Sequence, residues 1–227
     1  MIKDRIEQIR GEIAGICQKL KRDPKEITIV GVTKFTGTDK IQAAIDAGLK
    51  HIGENKVQEG QKKFPVLNSP VTKHLIGHLQ TNKVKLALTF FDCIQSVDSL
   101  RLAEAIQQQA EKSAKPIDIF LQVNTSGESQ KFGASPDEAA TLIEQILALS
   151  HLRLQGCMAM ATLVDDENVV RQSFSDMRKI FEDGKRRWQG HPRLDMKYLS
   201  MGMTHDYKIA LEEGSNMLRI GRAIFGE

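Results

Sequence analysis

The sequence predicts an α/β protein that folds as a single (β/α)8 barrel, the TIM-barrel fold, and three observations favour it. Eight segments typical of buried strands alternate with segments of helical periodicity, with a helix after each of the first seven. The chain has 227 residues, toward the lower end of the range for this fold. Aromatic residues make up only 5% of a chain rich in aliphatic ones, as in proteins whose parallel strands pack against helices. We therefore expect one domain over residues 1–227.

The first element is a predicted helix over residues 2–20. Isoleucine or leucine recurs at steps of three and four residues, which places one apolar stripe along a helix: Ile2, Ile6, Ile9, Ile13, Ile16 and Leu20. The same stripe could form the seam of a coiled coil. Because it is short and followed by a strand, packing against a sheet is favoured.

Strands and helices then alternate to the end of the chain. The predicted strands are Ile27–Lys34, His51–Glu54, Thr72–Gly77, Cys93–Val97, Ile117–Asn124, Leu154–Ala161, Tyr198–Met201 and Met217–Ile220. The predicted helices between them are Thr38–Ala47, Lys56–Lys63, Thr81–Leu88, Ser99–Ser113, Pro136–Leu149, Asn168–Trp188 and Thr204–Glu213. A doubly wound open sheet is the structural alternative. No Gly-x-Gly-x-x-Gly follows the first strand, however, and the candidate phosphate site follows strands seven and eight, where such barrels bind phosphate.

Composition and charge exclude several classes of function. The 32 basic and 29 acidic residues are evenly spread, so no basic patch predicts nucleic-acid binding. The charged N-terminus does not resemble a signal peptide, and no apolar run approaches the ~20 residues of a membrane span. Three distant cysteines, Cys17, Cys93 and Cys157, predict neither a disulfide framework nor a zinc site. We expect a cytoplasmic protein that does not contact membranes.

The strongest candidate site lies in the segment Tyr198–Gly226. The ends of the last two strands carry small or hydroxyl residues and free amides, at Ser200 and Thr204 and then at Gly221 and Arg222. Amide donors at turns and helix starts bind phosphate. Ordinary turn chemistry is the alternative, with Thr204 as the residue that caps a helix. Both interpretations can hold together.

The first strand delivers a single lysine, Lys34, at its C-terminal tip. At the edge of a barrel interior an ammonium is expected to be partly desolvated, which lowers its pKa and frees the amine as a nucleophile. Together with a phosphate cradle, this predicts an imine to a phosphorylated aldehyde. The alternative is an ordinary lysine that extends into solvent.

Other polar residues near the strand ends allow two interpretations each. Arg219, on strand eight, could face a ring nitrogen or phosphate, or form an ion pair with a carboxylate. His74 and His78 are four residues apart but lie on a strand and turn, so we expect no metal site. The segment Val123–Gly133 is predicted to be either a mobile lid or a long surface loop.

Several blocks of sequence resemble a known family across essentially the whole chain. They are VTK at Val32–Lys34, GENKVQE at Gly53–Glu59, HLIGHLQTNK at His74–Lys83, SVD at Ser96–Asp98, VNTSGESQKFG at Val123–Gly133 and the glycine-rich run that ends at Gly226. In this order they are similar to the YggS/PROSC family, the pyridoxal phosphate homeostasis proteins. Thr33, Phe35 and Asn216 depart from the family pattern without removing a proposed ligand.

The resemblance implies a single barrel of the alanine racemase N-terminal type that binds pyridoxal 5′-phosphate (PLP). It implies that Lys34 forms the imine and that Arg219 sits by the pyridine nitrogen and keeps it unprotonated. The residues implied to hold the phosphate are Ser200, Thr204, Gly221 and Arg222. Asn55 would lie near the cofactor, and His74 would lie on a strand that lines the same pocket.

The implied function is PLP homeostasis, in which the protein buffers or delivers the cofactor without robust catalysis. Racemases and decarboxylases on this barrel carry a second domain, whereas this chain ends at Glu227, and its two tyrosines are Tyr198 and Tyr207. We therefore expect no catalytic residues and a monomer. The expected partners are PLP, amines and amino acids, and apo PLP enzymes. The alternatives are a minimal PLP-dependent racemase or decarboxylase and a class I aldolase that uses Lys34.

Overall fold

A computed structural model describes residues 1–128 and 130–226. Its eight strands form a closed barrel in chain order, and each pairs in parallel with its neighbours, β8 closing onto β1. The strands are β1 Thr28–Val32, β2 His51–Glu54, β3 Thr72–Leu75, β4 Cys93–Val97, β5 Ile117–Gln122, β6 Leu152–Met158, β7 Leu194–Ser200 and β8 Met217–Ile220. The predicted (β/α)8 barrel is therefore confirmed.

Helices surround the barrel and follow the predicted alternation. They are α1 Ile2–Lys19, α2 Thr38–Asp46, α3 Val57–Lys63, α4 Val84–Phe90, α5 Leu100–Lys112, α6 Ala139–Leu147, α7 Glu167–Arg187, α8 Tyr207–Glu212 and α9 Arg222–Phe225. Short 3-10 turns at Thr81–Lys83 and Pro136–Glu138 begin the fourth and sixth helical regions. No helix in the described parts of the chain is both long and apolar enough to cross a membrane.

The apolar stripe of α1 packs inside the fold. Ile6, Ile9, Ile13 and Cys17 are buried, and α1 contacts α2, α8 and α9. The Tyr207 hydroxyl on α8 donates to Glu12 on α1 at 2.6 Å. The stripe is therefore buried within the domain, but its main contacts are with neighbouring helices and not with the sheet that was predicted.

Several predicted boundaries differ from the structure, and the reason is identifiable for β7 and for the helix that follows it. Strand β7 begins at Leu194, four residues before the predicted start. Its first half was not predicted, because the exposed charged residues Asp195 and Lys197 interrupt the apolar pattern. The helix predicted to start at Thr204 begins at Tyr207 instead. Asp206 accepts a hydrogen bond from the Met203 amide at 2.5 Å, which closes a turn in front of the helix. Thr204 lies in that turn and does not cap a helix.

The barrel interior has an apolar layer and a polar layer. The apolar cluster consists of Val30, Cys93, Phe120, Met158 and Met217, all at most 4% exposed. Polar side chains that are also fully buried lie among these strands, and they form the inner part of the candidate site. Layers of side chains filling the centre are typical of this fold, whose sites lie at the C-terminal ends of the strands.

Candidate functional site

The closing strands of the barrel bring the two ends of the chain together. Strand β1 pairs with β8, with Gly31 opposite Ile220. A Cβ atom built on Gly221 would lie 3.4 Å from the Val32 Cβ. Lys34 and the turn at Gly221 therefore follow neighbouring strands at the same end of the barrel, as a shared site requires.

Two turns at this end offer free backbone amides. After β8, the Gly221 carbonyl accepts hydrogen bonds from the amides of Ile224 and Phe225, at 2.9 and 3.0 Å. Within the described part of the chain, the backbone amides of Arg222 and Ala223 have no hydrogen-bond acceptor. The backbone amide of Thr204, in the turn after β7, has none among the described residues either. Unpaired amides at turns are anion donors, so these two turns can cradle a phosphate.

The turn after β7 requires glycine at position 202. Gly202 has a φ of 91°, and a Cβ atom there would lie 2.6 Å from the Ala210 Cβ. The turn is thereby pressed against α8, and half-buried Thr204 follows it. Arg222 is exposed, and its guanidinium hydrogen-bonds the His205 imidazole, which links the two turns.

Ser200 faces the barrel interior. Its side chain is fully buried, and its hydroxyl donates to Gln95 Oε1 at 2.8 Å. The same hydroxyl accepts a hydrogen bond from Arg219 Nη1 at 2.8 Å. Of the four residues predicted to hold a phosphate, Ser200 is the one whose side chain already has partners inside the barrel.

Arg219 is a buried cation held by oxygen acceptors. Its guanidinium donates to the carbonyls of Ser200 and Ala159, each at 2.8 Å. No carboxylate of the described residues lies within ion-pair distance, so the alternative of an ion pair is wrong. Burial lowers the pKa of Arg219 to about 10, and the nearby Asp206 charge partly offsets this. The arginine remains charged at neutral pH.

His74 belongs to the same buried network. Gln95 Nε2 donates to His74 Nδ1 at 3.0 Å, so His74 Nε2 carries the proton and donates to His51 Nδ1 at 3.0 Å. Burial, assisted by the neighbouring His51, lowers the pKa of His74 to about 3, and the imidazole is neutral. A hydrogen-bonded chain, which we term the interior chain, runs through Arg219, Ser200, Gln95, His74 and His51.

Lys34 lies in a turn that projects from the end of β1. The Thr36 amide donates to the Thr33 carbonyl at 3.0 Å, and Phe35 within the turn has a φ of 64°. The Lys34 side chain is exposed, with its ammonium 5.0 Å from the centroid of the exposed Phe35 ring. The expectation that burial would desolvate Lys34 is wrong, because the turn carries the side chain away from the barrel interior.

A second lysine lies behind this turn and was not predicted as part of the site. Lys63 Nζ donates to the Thr33 carbonyl at 3.0 Å and to Glu54 Oε1 at 2.7 Å. The Thr33 hydroxyl donates to the same Glu54 oxygen at 2.7 Å. Lys63 on α3 and Glu54 on β2 are both buried, and we term them the buried ion pair; Glu59, one turn earlier on α3, lies farther from the Lys63 ammonium, at 3.5 Å. In the sequence, Lys63 is the last residue of the predicted helix Lys56–Lys63, and no pattern there marked it as part of the site.

Asn55 follows β2, the strand next to β1, and is half-buried. A Cβ atom on Gly77 would lie 2.2 Å from the Asn55 carbonyl oxygen, so only glycine fits there. Asn55, His78 and Gln80 line a cavity of about 420 Å³ between the ends of β2 and β3. Asn55 therefore lies one strand away from Lys34, on the same rim.

The loop after β5 crosses toward neighbouring strand ends. Phe132 stacks on His78, with ring centroids 3.9 Å apart and planes at 12°. Lys131 donates to the Ala161 carbonyl at 3.0 Å. Ser129, which belongs to the predicted loop Val123–Gly133, lies outside the described residues. Its neighbours tie the loop to the segments after β3 and β6.

Metal ligands are not grouped in the described part of the chain. It contains no cluster of three or more His, Cys, Asp or Glu side chains that could hold an ion. Cys17, Cys93 and Cys157 are free and buried, and burial raises the pKa of each thiol.

A closed parallel barrel with a lysine after β1, a buried arginine on β8 and turns with free amides after β7 and β8 has the features of the alanine racemase barrel class. The family described as the N-terminal domain of alanine racemase matches residues 7–227. Within that class, the chain belongs to the YggS/PROSC family of pyridoxal phosphate homeostasis proteins.

Two relatives and one solved structure illustrate the match. The pyridoxal phosphate homeostasis protein of Pasteurella multocida is 38% identical, over 99% of this chain and 97% of its own length. The protein of the same name from Escherichia coli is 36% identical, over 99% of this chain and 96% of its own. The structure of PipY from Synechococcus elongatus with PLP bound has a TM-score of 0.86 and 29% identity, and each chain is fully covered.

Proposed function

We propose that this protein binds PLP reversibly and acts in intracellular PLP homeostasis, buffering or delivering the cofactor without robust catalysis. The observation that carries the proposal is the placement of Lys34 and the free amides of the β8 turn on adjacent strand ends. Similarity to PipY, which has been solved with PLP, supports the choice of ligand.

The residues present fit the chemical groups of PLP. The phosphate would be held by Thr204, by the turn at Gly221 and by Arg222, which offer amides, a hydroxyl and a guanidinium. Ser200, the fourth predicted ligand, would join them by turning its hydroxyl away from Gln95. Arg219 would lie by the ring nitrogen, with Ser200 and His74 keeping it in place through the interior chain. Asn55 would contact the cofactor from the next strand end, and Lys34 would be the Schiff-base lysine.

The same residues favour holding the cofactor over catalysis. When bound, PLP supplies an aldehyde that combines reversibly with amines and a ring that withdraws electrons best when its nitrogen is protonated. A cationic Arg219 disfavours that protonation. Neither tyrosine can act as a base at this end of the barrel, since Tyr207 donates to Glu12 and Tyr198 stacks on Phe120 in the interior.

Exposure of Lys34 suits exchange. An amine in solvent can be reached by free amines and amino acids, and by the active-site lysine of an apo PLP enzyme, all of which compete for the same aldehyde. We propose these as the recipients of the cofactor. We also propose that residues 1–227 act as one PLP-binding domain, as a monomer and in the cytoplasm.

The test is an absorption spectrum of the purified protein after addition of PLP, beside Lys34→Ala prepared in the same way. A visible band that borohydride bleaches, and that the variant lacks, is the expected result. Peptide mapping should place the reduced adduct on Lys34. A wild-type protein that gives no band at saturating PLP would contradict the proposal, and trapping with a keto-sugar phosphate would then test the aldolase alternative.

A further inference from the structure

The backbone that presents Lys34 is fixed by contacts from outside the barrel. The Thr33 carbonyl belongs to the peptide unit that ends at the Lys34 nitrogen, and it accepts two hydrogen bonds. One comes from the Thr36 amide at 3.0 Å and closes the turn, and the other comes from Lys63 Nζ at 3.0 Å. The orientation of this peptide unit, and hence the start of the Lys34 side chain, depends on the Lys63 ammonium.

The turn needs such support because one of its residues is strained. Phe35 has a φ of 64°, a backbone conformation that residues other than glycine rarely adopt. Its ring is 81% exposed, so packing of the ring does not compensate for the strain. Strained backbone persists where the surroundings determine it, and here the fixed neighbour is Thr33.

The buried ion pair is incompletely satisfied, which indicates a role beyond stability. Glu54 is 1% exposed, and its Oε1 receives hydrogen bonds from Lys63 and Thr33. Its Oε2 is buried and has no partner among the described residues. A buried carboxylate with an unpaired oxygen is costly, and apolar side chains of similar size often stabilise a fold at least as well.

We propose that Lys63 and Glu54 are positioning residues for Lys34: Glu54 holds the Lys63 ammonium against the Thr33 carbonyl, and that contact sets the direction from which the Lys34 amine meets an aldehyde. The proposal rests on the proposed function of Lys34. In this arrangement the buried ion pair does not itself contact the cofactor. Its effect should therefore be confined to the step in which the Lys34 amine and the aldehyde form a C=N bond and release water.

The test compares two ligands that share a ring and a phosphate but differ at the aldehyde. PLP can combine with Lys34, whereas pyridoxine 5′-phosphate carries an alcohol there and cannot. Lys63→Met should weaken PLP binding by about tenfold or more, because small misplacement of a reacting group is costly. Its affinity for pyridoxine 5′-phosphate should stay within about twofold of wild type, since the phosphate and ring contacts are retained.

Lys62→Met is the matched control, because the Lys62 side chain is 73% exposed and its neighbour Lys63 only 11%. This variant should bind both ligands like wild type. Equal losses for the two ligands in Lys63→Met would overturn the proposal, since they would mark a general structural role. Unchanged PLP binding would overturn it as well.

Lys63→Met leaves the Glu54 charge unpaired and could impair folding. The double variant Lys63→Met/Glu54→Gln removes both charges and serves as the second test. It should lose PLP affinity selectively, as the single variant does, and wild-type PLP affinity in it would overturn the proposal. If wild-type protein itself fails to bind PLP, the proposed function fails, an outcome distinct from failure of the positioning role.

Discussion

The two halves of the candidate site are built differently. On the β8 side, the interior chain from Arg219 to His74 is almost fully buried, and every link is a hydrogen bond between 2.8 and 3.0 Å. On the β1 side, Lys34 and Phe35 are exposed on a turn that the buried ion pair supports from behind. The buried half is held by packing and hydrogen bonding, whereas the Lys34 amine is open to solvent.

This difference fits a protein that holds and releases a cofactor. A preorganised interior recognises the ligand without rearrangement, and an exposed amine lets other amines compete for the aldehyde. An enzyme of this chemistry would instead be expected to shield the reacting atoms from water. The contrast between the halves can be tested by substitution and by pH, and the largest effect is expected in acid.

Acid should destabilise the buried half through His74. The folded pKa of about 3 lies below the ordinary value of 6.5, so the unfolded chain binds a proton first as the pH falls. The stability contributed by neutral His74 is complete above pH 6.5 and is lost as the pH falls from there toward 3. At 1.36 kcal/mol per pH unit, the loss between pH 7 and pH 4 is about 3 kcal/mol.

Urea unfolding of wild type and His74→Gln at pH 7 and pH 4 would measure this. A glutamine side chain can accept from Gln95 and donate to His51 but does not titrate. The variant should therefore lose less stability in acid than wild type, by about 3 kcal/mol. If both proteins lose the same amount, His74 is not held neutral by the fold.

Substitutions in the two halves should differ in their effect on stability at neutral pH, and Gln95→Leu tests the buried half. It leaves the Ser200 hydroxyl without an acceptor and His74 Nδ1 without a donor, both in the barrel interior. The expected loss of unfolding free energy is about 2 kcal/mol. Lys34→Ala removes an exposed side chain and should change stability by less than about 0.5 kcal/mol while abolishing covalent PLP binding. If Gln95→Leu and Lys34→Ala lost similar amounts of unfolding free energy, the two halves would not differ in the way described.

The smallest effect is expected at Phe35. Phe35→Gly relieves a left-handed conformation that costs the folded state about 1 kcal/mol. Glycine also increases the conformational entropy of the unfolded chain, which lowers the free energy of unfolding by nearly the same amount. The exposed ring contributes little burial. Thermal unfolding should therefore show a gain of about 0.5 kcal/mol or no change. A clear loss of stability would mean that the Phe35 ring packs in a way its exposure does not indicate.

The sequence predicted the fold well because its signals are local. Strands β2, β4 and β8 have the predicted bounds, since each is a short segment between turn residues. The first half of β7 was missed because Asp195 and Lys197 alternate with apolar residues, whereas a strand buried on both faces was expected. The helix after Gly202 was extended too far, because a threonine in a turn resembles a helix cap.

The site was predicted less completely because its supporting contacts are distant in sequence. Gln95 and Ser200 are 105 residues apart, and no periodicity relates them, although a polar residue within the apolar strand Cys93–Val97 was a visible anomaly. The contact between Lys63 and Thr33 depends on how α3 packs against β2, beside the end of β1. The orientation of the Ser200 side chain and the exposure of Lys34 likewise follow from tertiary structure.

We propose that the protein releases PLP to amines without catalysing a reaction of those amines. The direct measurement follows PLP-loaded protein mixed with excess alanine in D2O, by absorption for the protein-bound band and by NMR for Cα deuteration. We expect the bound band to decline as PLP leaves with the amino acid, while alanine keeps its Cα proton. Steady deuterium incorporation that disappears in Lys34→Ala would contradict the account and establish a racemase-type activity instead.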